Sequence, residues 1–371
     1  MMINMKYKGQ LQFLFLNLLL VLPMSAGGKL EGLEEFGREL FFTLSNYEPA
    51  ENHIISPLPL ATILILLRMD AEKKVAYEIT EHLDLAGQPT DKLRESYLNL
   101  FEKMNQSQFF DMSINISFVY HEHISENLIM SVDTAIKSWS GYYVCIHSEE
   151  LANIQTPSGT PVSDSPKVDI IIDTNVHFKN RLLYSITKTD EGVFYPLHGD
   201  KIAKTMLHHT AQIRYGEIYY LSATAVEVPY NDGHTYLVIL IPNDRKGIVQ
   251  LQDNLERYPL SNINQYLNND TLKLIMPALK VEVRFPLYDM FEIMDMASMF
   301  TQMCDSMPDI KVTQFDYIAS FEINNRTQDE DTYIPDDEEY LEEVPEIIVD
   351  HPFIFYIKSD EDDIYFMGKI N

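Results

Sequence analysis

FEINNRTQDEDTYIPDDEEYLEEVPEIIVDHPFIFYI, residues 321–357, is the stretch on which the reading of this chain turns. Between Glu322 and Asp350 it carries twelve carboxylates (Glu322, Asp329, Glu330, Asp331, Asp336, Asp337, Glu338, Glu339, Glu342, Glu343, Glu346 and Asp350) against a single base, Arg326. Such a run has too little apolar surface to bury itself, and it predicts an exposed, extended segment. An acidic run near a chain end is ordinarily a free tail. Here two strand-like apolar runs follow it, HPFIFYI at 351–357 and DIYFMGKI at 363–370. The segment is therefore read as a loop, residues 322–350, tethered at both ends.

The opposite end reads as a secretory signal over residues 1–26. Lys6 and Lys8 supply the positive region, Leu11 to Leu22 the apolar core, and Met24, Ser25 and Ala26 the small-residue exit. The apolar core is too short for a membrane span, and no later run approaches the roughly 18 apolar residues a span needs. A secreted, extracellular protein is expected, with residues 27–371 forming one domain. Its hydrophobic fraction of 46% is that of a folded globular chain. Secretion permits disulfides, yet only Cys145 and Cys304 are present, and a core of this size needs no staples. The sequence leaves their pairing open. Sequons at Asn105, Asn115, Asn269 and Asn325 agree with secretion and glycosylation. The net charge of −28 repels phosphates and excludes nucleic acid as a ligand. It favours a basic protein or peptide as partner, engaged by a monomer.

Along the chain, Leu33, Phe36, Leu40, Phe41 and Leu44 recur at helical spacing and predict an opening amphipathic helix. Residues 52–69 predict a short strand, a Pro-marked turn and a buried helix. Val75, Ile79 and Leu83 predict a third helix, closed by Gly87 and Pro89. Residues 152–167, rich in Pro and small polar side chains, predict a surface loop. Strands are expected at 114–120, 168–178, 225–230, 236–242 and 272–285. No internal repeat or linker divides the chain.

At this point the sequence resembles the serpin (serine protease inhibitor) family over nearly all of residues 27–371. Ile55-Ser56-Pro57-Leu58 is similar to the family's F-S-P-x-S-I segment, and Asn175 with Phe178-Lys179-Asn180-Arg181-Leu182 to N-x-x-x-F-K-G-x-W. Val228-Pro229-Tyr230 with Leu237 to Pro242 resembles the L-P-Y … I-L-L-P strand pair. Met276 to Leu279, then Leu287, Phe291, Met294 and Phe300, follow P-K-F … L-x-x-x-L-x-x-L-G-x-x-x-x-F, and Pro352-Phe353 with Phe366 to Lys369 follow P-F-x-F and F-M-G-R. Each motif alone is weak; their order and spacing together are specific. The resemblance implies an α+β fold of three β-sheets with about eight helices. It also implies an exposed reactive-centre loop near the C-terminus, where the acidic run falls.

In that family a protease cleaves a bait bond in the loop and is trapped as an acyl-enzyme, while the loop inserts as a new strand of the large sheet. The family register places the bait bond at Leu341–Glu342 and the hinge over Asn325, Arg326, Thr327, Gln328, Asp329 and Glu330. Inserted, the strand would turn Gln328, Glu330, Thr332, Ile334, Asp336, Glu338 and Tyr340 inward, since alternate residues share a face. Three of these are carboxylates, each costing several kcal/mol to bury unpaired. Pro335 offers a central strand no N–H, and Thr327 replaces the permissive hinge glycine. The scaffold departs in the same direction. Leu182 stands for the family's Trp, Tyr317 for the His of its polar shutter cluster and Pro59 for a Ser, leaving Ser56 and Asn175 of that cluster. The sole Trp, Trp139, lies elsewhere, and the Pro-rich 152–167 segment replaces the signature of the helix that crosses the large sheet.

No catalytic residue, cofactor or metal is expected. There is no G-x-S-x-G, no phosphate-binding Gly loop and no zinc-spaced Cys pair. His121-Glu122-His123 fails H-E-x-x-H because Ser125 fills the last place, and His208-His209 are adjacent rather than one helical turn apart. The leading expectation is a non-enzymatic secreted serpin that does not trap proteases and docks a basic partner through Asp336, Asp337, Glu338, Glu339, Tyr340 and Glu343. Tyr340, set among carboxylates, is a candidate for sulfation. The alternative is an extracellular inhibitor of a chymotrypsin-like serine protease.

Overall fold

A computed structural model describes residues 31–69, 71–106, 110–120, 144–150, 168–303, 310–323 and 344–371. Helix α1 (Glu31–Tyr47) buries Leu33, Phe36, Leu40, Phe41 and Leu44, the stripe its spacing predicted. After the short strand β1 (His53–Ile55), helix α2 (Pro57–Arg68) starts on Pro57, where a missing N–H costs nothing. It is apolar all round and buried from Pro57 to Leu67, the signature of a core helix. Helix α3 (Lys73–His82) buries Val75 and Ile79 and is tied to α1 by His82 Nδ1 against Glu39 Oε2 at 2.8 Å. Helix α4 (Thr90–Gln106) was not anticipated, although Leu93, Tyr97, Phe101 and Met104 are buried at helical spacing.

A five-stranded sheet runs β10 (Leu279–Pro286), β11 (Ile310–Ile323), β4 (Val168–Phe178), β2 (Phe110–Tyr120), β3 (Val144–Glu150). The remaining strands form one nine-stranded ladder. It passes from β1 through β14 (Ile364–Ile370), β13 (Phe353–Ser359), β8 (Thr235–Pro242) and β7 (Ala223–Pro229) to β6 (Ile202–Ile218), then to β9 (Asn268–Pro277) and β12 (Glu346–Ile348). Strand β5 (Lys188–Phe194) joins the free side of β6. Two of the three expected sheets are thus fused through β6, whose first part pairs with β5 and β9 and whose last residues pair with β7.

The run 272–285, expected as one strand, is two. It breaks at Pro277, which has no N–H for the ladder; Ala278 then donates to the Thr205 carbonyl at 2.8 Å, and β10 departs to the other sheet. Helices α5 (Ile248–Arg257) and α6 (Tyr288–Ile293) complete the set used below. The last carbonyls of α5 are satisfied by buried Arg38, whose guanidinium donates to Leu255 O at 3.0 Å and Glu256 O at 3.3 Å. A cation there also suits the negative end of the helix dipole.

The two sheets meet through aromatic side chains. Phe321 of β11 stacks on Phe355 of β13 with centroids 4.4 Å apart, and Phe178 of β4 lies 5.8 Å from Phe366 of β14. Gly368 of β14 is what lets Phe355 lie flat. A Cβ there would stand 2.3 Å from the Phe355 ring and 2.9 Å from the His53 carbonyl. Gly368→Ala is therefore expected to destabilise the fold by about 2 kcal/mol through overpacking, measurable as a lowered denaturant midpoint with an unchanged slope.

Candidate functional site: the sheet joint beneath the acidic loop

The acidic run is shorter than its sequence suggested, because both of its ends are built into strands. Glu322 belongs to β11, and residues 346–348 form β12. The intervening hinge residues Asn325, Arg326, Thr327, Gln328, Asp329 and Glu330 lie outside the described residues. So do Asp336, Asp337, Glu338, Glu339, Tyr340, Glu343 and the Leu341–Glu342 bond. Residues 1–26, Trp139, residues 152–167, His121 to His123, Cys304 and the Asn325 sequon also lie outside them.

On the N-terminal side the loop leaves from β11, which pairs with β4 in parallel from Ile310↔Val168 to Phe321↔Phe178. The inward faces of this joint are Ile170, Ile172, Thr174, Val176 and Phe178 on β4, and Phe315, Tyr317, Ala319, Phe321 and Ile323 on β11, all buried. The outward positions are mixed: Ile171, Asp173, Asn175 and His177 on β4, and Asp316, Ile318, Ser320 and Glu322 on β11. The joint is pinned at several levels. Thr174 Oγ1 donates to the Asp316 carbonyl at 3.3 Å, and His177 Nδ1 is hydrogen-bonded to Ser320 Oγ. Below it, the Ser56 N–H at the start of α2 donates to Tyr317 Oη at 2.6 Å, while Ser56 Oγ donates to the Tyr365 carbonyl at 2.9 Å. Tyr317 is fully buried, which pushes its hydroxyl well above the ordinary tyrosine range and keeps it neutral.

At the upper end of β4 the chain turns through Arg181, whose carbonyl accepts from Asn231 N at 2.8 Å, and Leu182 makes a single antiparallel bridge to Tyr230. Tyr230 in turn meets Phe178 edge-on at 4.9 Å.

On the C-terminal side the loop is clamped onto β9. Lys273 N donates to Pro345 O at 2.9 Å and Val349 N to Ile275 O at 2.8 Å, with Lys273 Nζ paired to Glu346. Asp350 is held by Arg245 at 2.8 Å, whose guanidinium lies 4.0 Å over the Tyr195 ring, and by His351 Nδ1 at 2.7 Å. Glu346 and Asp350 are thus structural.

The remaining sequence candidates separate. His208 Nε2 lies 2.9 Å from Asp190, which also pairs with Lys188 at 2.6 Å; hydrogen bonds from Lys188 and then His208 hold that carboxyl below its usual range. His209 is buried on the opposite face, and its burial lowers its pKa. No group of three or more metal-ligating side chains occurs among the described residues. Among them, no helix is long and apolar enough to cross a membrane. Asn269 is exposed at the start of β9, Asn115 is half-buried in β2, and Asn105 falls in α4.

The mixed α+β sheets, with the acidic run lying in the chain between β11 and β12, agree with the fold class the motifs implied. The family model "Serpin (serine protease inhibitor)" matches residues 31–127 and 160–371. The chain belongs to the serpin family. It is 24% identical to Ipis-1 of Ixodes persulcatus over 88% of this chain and 93% of that protein. It is 22% identical to serine protease inhibitor 42Dd of Drosophila melanogaster, over 90% and 94%. The structure of Serpin48 from Tenebrio molitor superposes with a TM-score of 0.73 at 17% identity, covering 94% of this chain and 98% of that one. Serpins act in general as protease inhibitors rather than as catalysts.

Against the serpin pattern, one reading of the sequence needs correction. By the resemblance, Tyr317 removes a member of the polar cluster beneath the joint. It remains a member, because its hydroxyl reaches Ser56 N; a longer side chain carries the polar atom to the same helix start. Pro59 lies buried in the first turn of α2. Neither arrangement had a local signal, since Ser56 and Tyr317 meet only in the fold. Tyr317→Phe keeps the ring and orphans the buried Ser56 N–H. A loss of about 1–3 kcal/mol is expected, read as a drop in thermal midpoint larger than that of Tyr365→Phe.

Proposed function

We propose that this protein is a secreted, glycosylated serpin that does not trap proteases, and that its acidic loop is a display segment for a basic extracellular protein or peptide. The observation carrying this reading is the chemistry of the joint's inner wall. A loop entering between β4 and β11 would turn Glu330, Asp336 and Glu338 toward Ile172, Val176, Tyr317, Ala319 and Phe321, which are 0–1% exposed. Each buried carboxylate costs several kcal/mol unless it is protonated or paired, and Arg326 cannot pair all three. Pro335 would leave a gap in one of the two new ladders. Left outside, the same carboxylates cost nothing and form a dense anionic ligand. Asp336, Asp337, Glu338, Glu339, Tyr340 and Glu343 are assigned to the docking surface. Asn269, exposed in β9, is the best-presented of the glycan acceptors Asn105, Asn115, Asn269 and Asn325.

The second reading is inhibition of a chymotrypsin-like serine protease with Leu341–Glu342 as the bait bond. It is favoured by the names of relatives such as serine protease inhibitor 42Dd. It is favoured too by the two strand anchors that keep the loop tethered.

Incubation with chymotrypsin-like proteases separates the two. The display reading expects cleavage within 327–343 with no SDS-stable adduct, and a cleaved form whose thermal midpoint stays close to that of the intact protein. A covalent adduct, or a large rise in midpoint on cleavage, establishes the inhibitor. Binding of a basic partner should weaken steeply between low and physiological salt, because exposed charges are screened.

A further inference from the structure

The joint carries a pair of like charges that neither reading uses. Asp173 of β4 and Asp316 of β11 are register partners. Neighbouring strands lie about 4.8 Å apart, so the two carboxyl groups leave the outer face of the sheet side by side. Asp316 is 7% exposed and Asp173 half-buried. Their surroundings on every adjoining strand are poor in compensation. On β11, Gln314 Nε2 donates to Asp316 Oδ2 at 2.9 Å. On β10, the residue opposite Asp316 is Pro286, and Arg284, one turn of the pleat away, is the cation that acts on Asp173. On β2, Asp173 faces Asn115 in register. Further along β4, His177 is occupied by Ser320. Among the described residues Asp173 makes no hydrogen bond or ion pair of its own. Burial first, and the Asp316 charge second, raise the Asp173 carboxyl above the ordinary aspartate range, with Arg284 opposing.

We infer that Asp173 and Asp316 form a proton-sensitive clasp on the β4–β11 joint, relaxed when Asp173 holds a proton in acid and pushing the two strands apart when both are ionised. The sign follows from linkage. Closing the joint brings the carboxyls together, and parting the strands separates them, so the closed sheet holds its extra proton more tightly than the parted or unfolded chain. The stabilisation is complete below the ordinary aspartate range, and it is lost as pH rises through the raised Asp173 value. At neutral pH the clasp is a repulsion built into the joint where, in the serpin mechanism, the sheet admits another strand. In acid that repulsion is gone. The inference concerns the sheet alone and stands whichever partner the acidic loop takes.

The test is the thermal midpoint of Asp173→Asn against wild type from pH 4 to pH 7.5, with Asp316→Asn as the second variant. The amide keeps the shape of the side chain and removes the like charge. Asp173→Asn should melt about 2 °C or more above wild type at pH 7.5, and the difference should shrink to nothing near pH 4. A gap that stays constant with pH, or a variant that melts below wild type at pH 7.5, overturns the clasp. If neither variant folds, amide exchange of the wild-type protein decides, after correction for intrinsic rates. Protection of residues 170–178 and 315–321 should fall between pH 4.5 and 7.5 relative to β8 and β13. A uniform change across all four strands overturns the inference. None of these readouts involves a protease or a loop partner, so failure here is distinguishable from failure of the proposed function.

Discussion

The parallel pairing of β4 with β11 governs the rest of this molecule. Both strands are long, both bury a continuous apolar face, and between them the hydrogen bonds run slanted, the slightly weaker of the two ladder geometries. The neighbours of this pair, β10 and β2, are antiparallel to it and fix its outer sides. The sheet's other parallel pairing, β2 with β3, lies at its edge, so β4–β11 is the parallel joint flanked by strands on both sides, and polar pins cross it. Thr174, His177, Ser320, Tyr317 and Ser56 each tie one strand to the other or to the helix beneath. The acidic run follows β11 in the chain at the upper end of this joint, and whether it enters the joint or stays outside separates an inhibitor from a display protein.

Two chemistries meet at that point and oppose each other. Aromatic stacking through Phe178, Tyr230, Phe321, Phe355 and Phe366 makes the space under the joint dry and closely packed, the condition under which an unpaired carboxylate is most costly. The loop supplies carboxylates at alternate positions. The outer face of the same joint sets Asp173 and Asp316 opposite each other in register. The acidity of this chain is therefore not spread evenly as a solubilising coat. Part of it sits on the loop, part on the joint, and part, as Glu346 and Asp350, is locked in ion pairs that hold the loop's far end to β9 and to Arg245.

The two anchors also restrict the loop in space. Its first residue follows a strand of one sheet, and its last precedes an edge strand of the other. A segment anchored at both ends ranges less widely than a tail of the same composition. That reduces the ordering cost of binding a partner.

Much of this fold was legible in the sequence, and for identifiable reasons. The stripe Leu33, Phe36, Leu40, Phe41 and Leu44, the all-apolar helix after Pro57, and the runs at 168–178 and 236–242 each carry a local period that one element must satisfy. So does the tethering of the acidic run, since HPFIFYI could only be a buried strand. What the sequence could not supply was anything that depends on two distant segments meeting. Pro277 looked like a residue within a strand, but it is the point where the chain passes from one sheet to the other. Tyr317 looked like the loss of a polar group, and only packing against α2 shows its hydroxyl at Ser56. Asp173 and Asp316 are unremarked acids in the linear chain, far apart in number. They become a pair because a parallel register, set by the apolar residues on the opposite face, places them side by side. Periodicity decides elements; register decides neighbours, and register exists only in the folded sheet.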